Sequence, residues 1–256
     1  MLTLFPNAKI NLGLLIKGKR ADGYHLLETV MFPVPSLRDE LRLWKSEQAG
    51  CSFQLDGIPL MGEGADNLCV RAYQLLREAY PALGGVAISL TKHIPAGAGL
   101  GGGSSDAAFT LLGLNELFAC GFSVDELAKI GAKLGADVPF FLYNRPLLAT
   151  GIGTDFEEID LEMPYEIRIV PSTIHSSTVA AYKALDYTQC DPARSLRTLL
   201  AQPATRWRET LPNDLETPIF ALYPTLSETK ARLYDDGAIY AAMSGSGSAV
   251  FGLFSV

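Results

Sequence analysis

The run Pro95-Ala-Gly-Ala-Gly-Leu-Gly-Gly-Gly-Ser-Ser-Asp-Ala-Ala108 places five glycines among the seven positions from Gly97 to Gly103. Glycine allows positive φ and close approach of the backbone to a ligand, at an entropic cost in the free chain. Ser104 and Ser105 follow as N-cap types, and Ala107 to Leu112 reads as the first turns of an apolar helix. Ahead of the run, Val86-Ala-Ile-Ser-Leu90 reads as an apolar strand. A glycine loop feeding a helix N-terminus is an anion site, because unpaired N–H groups and the positive end of the helix dipole point the same way. The expectation is phosphate binding. A flexible linker is the plain alternative, but linkers are not usually flanked by an apolar strand and an apolar helix. A P-loop requires Lys followed by Ser or Thr after the glycines, and Gly103 is followed by Ser104 with no lysine. Gly97, Gly99 and Gly102 satisfy the dinucleotide spacing, yet Thr91 to Ala96 intervene after the strand and no second strand ending in an acid follows.

With 256 residues, 48% hydrophobic and 19% charged, the chain is long enough for a large core, as one domain of two lobes or as two small domains. A net charge of -7 argues against a general nucleic-acid or membrane-surface binder. One basic patch stands out. The first 21 residues carry Lys9, Lys17, Lys19 and Arg20 without an acid, so an anionic ligand could be drawn there. Cys51, Cys69, Cys120 and Cys190 are far apart and suggest neither zinc nor a disulfide framework. Leu14-Leu15-Ile16 is too short for a signal-peptide core, and no apolar run has membrane length, so a cytosolic location is expected.

From Ala8 to Ile16 apolar residues alternate with Lys9, Asn11 and Gly13, which predicts a strand with a lysine between two amides on one face. A lone lysine there would ordinarily be a solvated residue of an edge strand. Lys17 to His25 reads as a basic loop with its turn at Asp22-Gly23, exposing Tyr24 and His25 before a strand at Thr29 to Phe32. Leu41 to Trp44 and Ser52 to Leu55 read as a strand pair, followed by a helix from Leu68 to Ala79 capped by Asp66 or Asn67. Ser123-Val-Asp-Glu126 is a capping box for a helix with Leu127, Ile130 and Leu134 inward, ending near Gly135. Asp137, before Pro139, reads as a helix cap, a role compatible with catalysis by its second oxygen. Leu147 to Gly153 reads as a strand and glycine turn, and Asp155 to Pro164 as an acidic connection where a second lobe begins. Beyond it come a strand at Tyr165 to Val170, a helix capped by Ser176-Ser177-Thr178, and a helix opened by Asp191-Pro192. Further helices are read near Asn213 to Glu216 and from Leu226 to Tyr234. A hairpin closes the chain, its tip at Ser244-Gly-Ser-Gly-Ser248 being either an ordinary turn or a backbone-lined groove for a phosphate. Strands and helices in this order give an α+β or α/β fold with an antiparallel component.

Taken together, Pro6 to Leu12, Gly18 to His25, Pro95 to Ala108, Gly135 to Phe141 and Met243 to Ser248 resemble the GHMP-type small-molecule kinases. Within them the stretches Ala-Lys-Ile-Asn-Leu and Asp-Gly-Tyr-His resemble the branch that phosphorylates 4-diphosphocytidyl-2-C-methyl-D-erythritol in non-mevalonate isoprenoid synthesis. The resemblance implies an α+β fold of two lobes with mixed sheets and the active site in the cleft between them, divided at residues 1–155 and 156–256. It implies ATP and Mg²⁺, with Lys9 and Asp137 as the catalytic pair. The phosphates would be wrapped by Pro95, Ala96, Gly97, Ala98, Gly99, Leu100, Gly101, Gly102, Gly103, Ser104 and Ser105, with Ser105 also the metal ligand. Asn67 and Lys92 would approach the adenine. Tyr24 and Tyr182 would sandwich the cytosine, His25 would read its edge, and Asn11 and Thr178 would seat the substrate. Thr150 departs from the pattern, standing where the family is expected to carry a basic residue. Two other readings stand beside this one: a GHMP kinase for mevalonate, homoserine or a sugar, and a nucleotide-binding regulator without catalysis, whose signature would be loss of Lys9 or Asp137.

Overall fold

The computed structural model describes residues 1–59, 67–172, 174 and 178–256, the side chains of residues 178–180 and 189 excepted. The chain opens with strands β1 (Leu2–Leu4), β2 (Asn7–Lys19), β3 (His25–Arg38), β4 (Glu40–Ser46) and β5 (Cys51–Gly57). Helix α1 (Leu68–Ala79), strand β6 (Gly85–Lys92) and helices α2 (Gly102–Leu117), α3 (Val124–Gly131) and α4 (Val138–Tyr143) follow. Strands β7 (Leu147–Thr150), β8 (Asp155–Glu158) and β9 (Tyr165–Val170) lead to α5 (Thr178–Lys183) and a 3₁₀ turn at Tyr187–Gln189. Helices α6 (Leu196–Leu200), α7 (Ala204–Thr210), α8 (Glu216–Leu222) and α9 (Pro224–Asp235) precede the closing hairpin of β10 (Tyr240–Met243) and β11 (Val250–Ser255). This is an α+β fold. Two compact units take interleaved segments: residues 1–8, 33–96 and 101–145 form the first, and residues 9–32, 97–100 and 146–256 the second. Strands β2 and β3, of 13 and 14 residues, each contribute residues to both units.

In the first unit the sheet order is β1-β4-β6-β5, with β4 antiparallel and β5 parallel to β6. The expected pairing of β4 with β5 is therefore replaced by β6 lying between them. Its Val86, Ile88 and Leu90 are buried, which suits a central strand, and α1 supplies the crossover that a parallel β5–β6 pair needs. Asn67 caps α1 by accepting the Cys69 N–H at 2.9 Å, and the alternative cap, Asp66, lies outside the described residues. The Ser123–Glu126 capping box forms as read, but α3 ends at Gly131, short of Gly135. A side chain at Gly131 would meet Val138 at 2.8 Å, so the helix stops where α4 packs on it.

The second unit holds two sheets, β2-β3-β7-β8 and the antiparallel β10-β11-β9. Leu14, Ile16, Leu215, Ile219, Met243 and Val250 share its core. The acidic connection begins as strand β8, paired antiparallel with β7. Asp191-Pro192 opens a turn instead of a helix. The Asp191 carboxylate accepts the Ala193 N–H at 2.9 Å, a local bond that competes with helix formation, and α6 starts later behind Ser195. Helix α7 was not foreseen. The predicted caps Ser176 and Ser177 lie outside the described residues.

Candidate functional site

The glycine loop alternates two conformations. Gly97, Gly99 and Gly101 have φ of 68°, 77° and 71°, while the intervening Ala98 and Leu100 side chains are buried. Gly99 is irreplaceable on space alone, since a Cβ there would lie 2.0 Å from the Ser244 carbonyl oxygen. Three successive carbonyls are bonded away: Ala98 accepts Ala249 N–H at 3.0 Å, Gly99 the Ser244 hydroxyl at 2.8 Å and Leu100 the Lys9 N–H at 3.0 Å. The backbone N–H groups of Gly99 to Ser104 have no acceptor among the described residues, and α2 begins among them. Acceptors tied back and donors left over, at a helix N-terminus, make a site for an anion. Ser104 and Ser105 are not the cap. Left-handed Gly101 takes that position without a side-chain bond, which puts both serines in the first turn. Ser105 is fully buried and its Oγ has no hydrogen-bond partner among the described residues.

Both faces of β2 are buried from Asn7 to Ile16, so Lys9 is not the solvated edge residue of the plain reading. It is 4% exposed and donates to Asn11 Oδ1. The orientation of Asn11 follows from its other end. Thr29 Oγ1 spends its proton on the Gly13 carbonyl at 2.6 Å and can only accept from Asn11 Nδ2, at 3.0 Å, which turns Asn11 Oδ1 toward the lysine. Asn11, expected to seat substrate, has both ends of its carboxamide bonded within the chain. Ser244 Oγ also lies 3.3 Å from the Asn11 N–H, fixing the Ser/Gly turn against β2.

Lys92 departs from expectation. It is 2% exposed, and its ammonium is shared between Asp39 and Asp106, the latter at 2.6 Å. The group so committed joins β6 to α2. Burial pushes the Asp106 carboxyl up to about 7, against the pull of Lys92 and with a further rise from Asp39. Asn67 likewise spends its side-chain oxygen on capping α1. Asp137 holds the N-cap position of α4 half-buried, but its carboxylate makes no capping bond to the helix, so the capping role drops away. Directly after Tyr143, left-handed Asn144 closes α4 and donates to Asn7 Oδ1 at 2.9 Å.

In the second unit Tyr24 and His25 line one cavity of about 560 Å³ with Tyr182, which is distant from them in sequence, together with Lys19, Asp22, Ile152 and Lys183. Tyr24 is 61% exposed. The His25 ring lies flat on Tyr182, centroids 4.2 Å apart and planes at 13°, so His25 is itself part of the stack. Tyr187, which no motif signalled, lies near-parallel to the same imidazole at 5.9 Å. Burial, with the charge of Lys19 beside it, lowers the His25 pKa, and its Nε2 is buried without a hydrogen-bond partner among the described residues. The basic patch is thinner than its sequence suggests: Lys17 pairs with Glu28 at 2.9 Å and Arg20 with Asp22 at 2.7 Å, leaving Lys19 at the cavity. The side chain of Thr178 lies outside the described residues. Among the described residues no helix is long and apolar enough to cross a membrane.

The family model described as GHMP kinases N terminal domain matches residues 67–145, and that for GHMP kinases C terminal matches residues 195–255. A protein of Bacteroides thetaiotaomicron named 4-diphosphocytidyl-2-C-methyl-D-erythritol kinase is 47% identical over 98% of this chain and 91% of its own length. A crystal structure of 4-(cytidine 5'-diphospho)-2C-methyl-D-erythritol kinase superposes with a TM-score of 0.86 at 38% identity, covering 98% of this chain and 90% of that one. A mevalonate kinase structure shares the fold at a TM-score of 0.74 but only 14% identity, over 100% of this chain and 92% of that one. The chain belongs to the GHMP kinase family, in its 4-diphosphocytidyl-2-C-methyl-D-erythritol kinase branch.

Proposed function

We propose that this chain transfers the γ-phosphoryl group of ATP to the 2-hydroxyl of 4-diphosphocytidyl-2-C-methyl-D-erythritol, in the cytoplasm. The observation that carries the substrate half is the single cavity shared by Tyr24, His25 and Tyr182. Flat rings there suit a pyrimidine face, a neutral imidazole offers one donor and one acceptor to its edge, and Lys19 and Lys183 suit a diphosphate. The loop N–H groups of Gly99 to Ser104 would take the ATP phosphates.

Asp137 would accept the hydroxyl proton as the oxygen attacks phosphorus, and Lys9 would offset the charge of the alkoxide. Asn11 suits this division of labour: a neutral amide oxygen orients the ammonium without cancelling its charge. Ser105 fits a magnesium ion, its buried hydroxyl lacking any other partner. Among the described residues no group of three or more His, Cys, Asp or Glu could hold a metal ion. When bound, Mg²⁺ would neutralise charge on the transferring phosphoryl group. Asp137→Ala is expected to keep ATP binding and to lose about 10³-fold or more in turnover, combining general-base and positioning losses. Calorimetric titration with ATP and product mass after incubation with the cytidyl alcohol check both halves. Turnover near that of the unaltered chain would refute the role of Asp137.

A further inference from the structure

The Ser/Gly turn touches the lysine that the proposed mechanism relies on, and one side chain outside the motifs governs that turn. Gly245 has φ of 58°, and a Cβ there would lie 3.0 Å from Asn11 Oδ1 and 3.7 Å from Lys9 Nζ. Its backbone therefore packs against the Lys9–Asn11 pair. What holds it there is Asn213, 4% exposed, whose Nδ2 gives one hydrogen to the Met243 carbonyl and the other to the Gly245 carbonyl, each at 2.8 Å. Asn213 Oδ1 accepts the Leu215 N–H at 3.0 Å, so the carboxamide cannot turn over without losing all three bonds. The segment carrying it is bonded to β2 itself: Leu14 N–H donates to the Pro212 carbonyl at 2.9 Å and Asp214 N–H to the Leu14 carbonyl at 2.9 Å. Asn213 thus ties the strand that bears Lys9 to the turn that covers Lys9.

We infer that Asn213 is a positioning residue for phosphoryl transfer: by clamping the carbonyls on either side of Ser244 it fixes the turn that sets the Asn11–Lys9 geometry. This rests on the role given to Lys9 above. A residue that only supported the hairpin would change stability and leave the turnover of folded molecules alone. A misplacement of about 1 Å at a catalytic group can cost roughly 10²-fold in rate.

The test uses the full chain. Asn213→Asp keeps the size and the acceptor for Leu215 but removes both donors. It is expected to lower kcat about 10- to 100-fold while KM for ATP and for the cytidyl alcohol stays within about threefold. Combined with Ser244→Ala, it should lose less than the product of the two single losses, because both act through one turn. Asn213→Ser, which retains a single hydroxyl donor, carries the same readouts should Asn213→Asp not fold. Full kcat in folded variants with a lowered melting temperature would overturn the inference, as would strictly multiplicative losses with Ser244→Ala. Failure of both variants to fold would overturn it too, assigning Asn213 to folding alone. Lys9→Met separates the two levels: full turnover in that variant refutes the role of Lys9 and the inference with it. An inactive Lys9→Met beside fully active Asn213 variants refutes the inference only.

Discussion

Thr29 shows how little chemistry is needed to aim the lysine proposed to act in catalysis. Its hydroxyl has one proton, committed to Gly13, so it can only accept from Asn11, and the amide oxygen is left to face Lys9. Thr29→Val removes that acceptor, frees the carboxamide to turn and strands a buried Nδ2. The expected result is about a tenfold fall in kcat with KM for ATP unchanged, and a loss of about 1–3 kcal/mol in urea unfolding. His25 gives the pH dependence. Burial first, then the charge of Lys19, depresses its pKa below the ordinary 6.5. As pH falls, the unfolded chain takes up this proton before the folded one does, so stability declines from 6.5 downward through the lower folded value. Above 6.5 the folded imidazole is neutral. KM for the cytidyl alcohol should be flat there and rise only below it, with Lys19→Met moving the inflection upward; an inflection above 6.5 in the unaltered chain would contradict the assignment. Short motifs carry Lys9, Asp137, Tyr24 and His25, so the sequence alone offers them as candidates. Thr29, Asn213 and Tyr187 were not legible there, since each acts through a contact made far along the chain.

At the scale of elements, the buried Lys92 joins the end of β6 to Asp106 of α2 and to Asp39, just ahead of β4. Asp39 is satisfied further by the N–H groups of His93 at 2.5 Å and Ile94 at 2.8 Å, so the ion triad sets how the chain leaves the sheet for the glycine loop. Lys92→Met would leave two buried carboxylates without their cation and should cost about 3–5 kcal/mol. For Asp106 the sign is that of a raised carboxyl. The unfolded chain loses this proton near pH 4 and the folded one at about 7, so its contribution to stability falls as pH rises across that interval. The penalty in Lys92→Met should therefore be larger at pH 8 than at pH 5, measured by urea unfolding; an equal penalty at both would argue against the triad. Local signals gave the α1 cap and the α3 capping box, because both are closed within a few residues. The neighbour of β4 was misjudged for the opposite reason. A strand's place in a sheet depends on which strand buries most, and here β6 takes the centre.

Across the whole molecule, apolar periodicity and turn signals narrowed the class to α+β or α/β, the family resemblance chose α+β, and glycine placement marked the loop as a candidate anion site. The interleaving of the two units could not be read this way, because strands that pass from one unit to the other leave no break in the pattern. The fold does not choose the substrate, since a mevalonate kinase shares it at 14% identity. In the proposed function that choice is given to the cavity of Tyr24, His25 and Tyr182. The decisive measurement is kcat/KM with ATP and Mg²⁺ for 4-diphosphocytidyl-2-C-methylerythritol, mevalonate and homoserine in parallel, with each product identified by mass. Turnover of the cytidyl alcohol alone, giving a product heavier by one phosphoryl group, is the predicted result; phosphorylation of mevalonate or homoserine at comparable efficiency would contradict it.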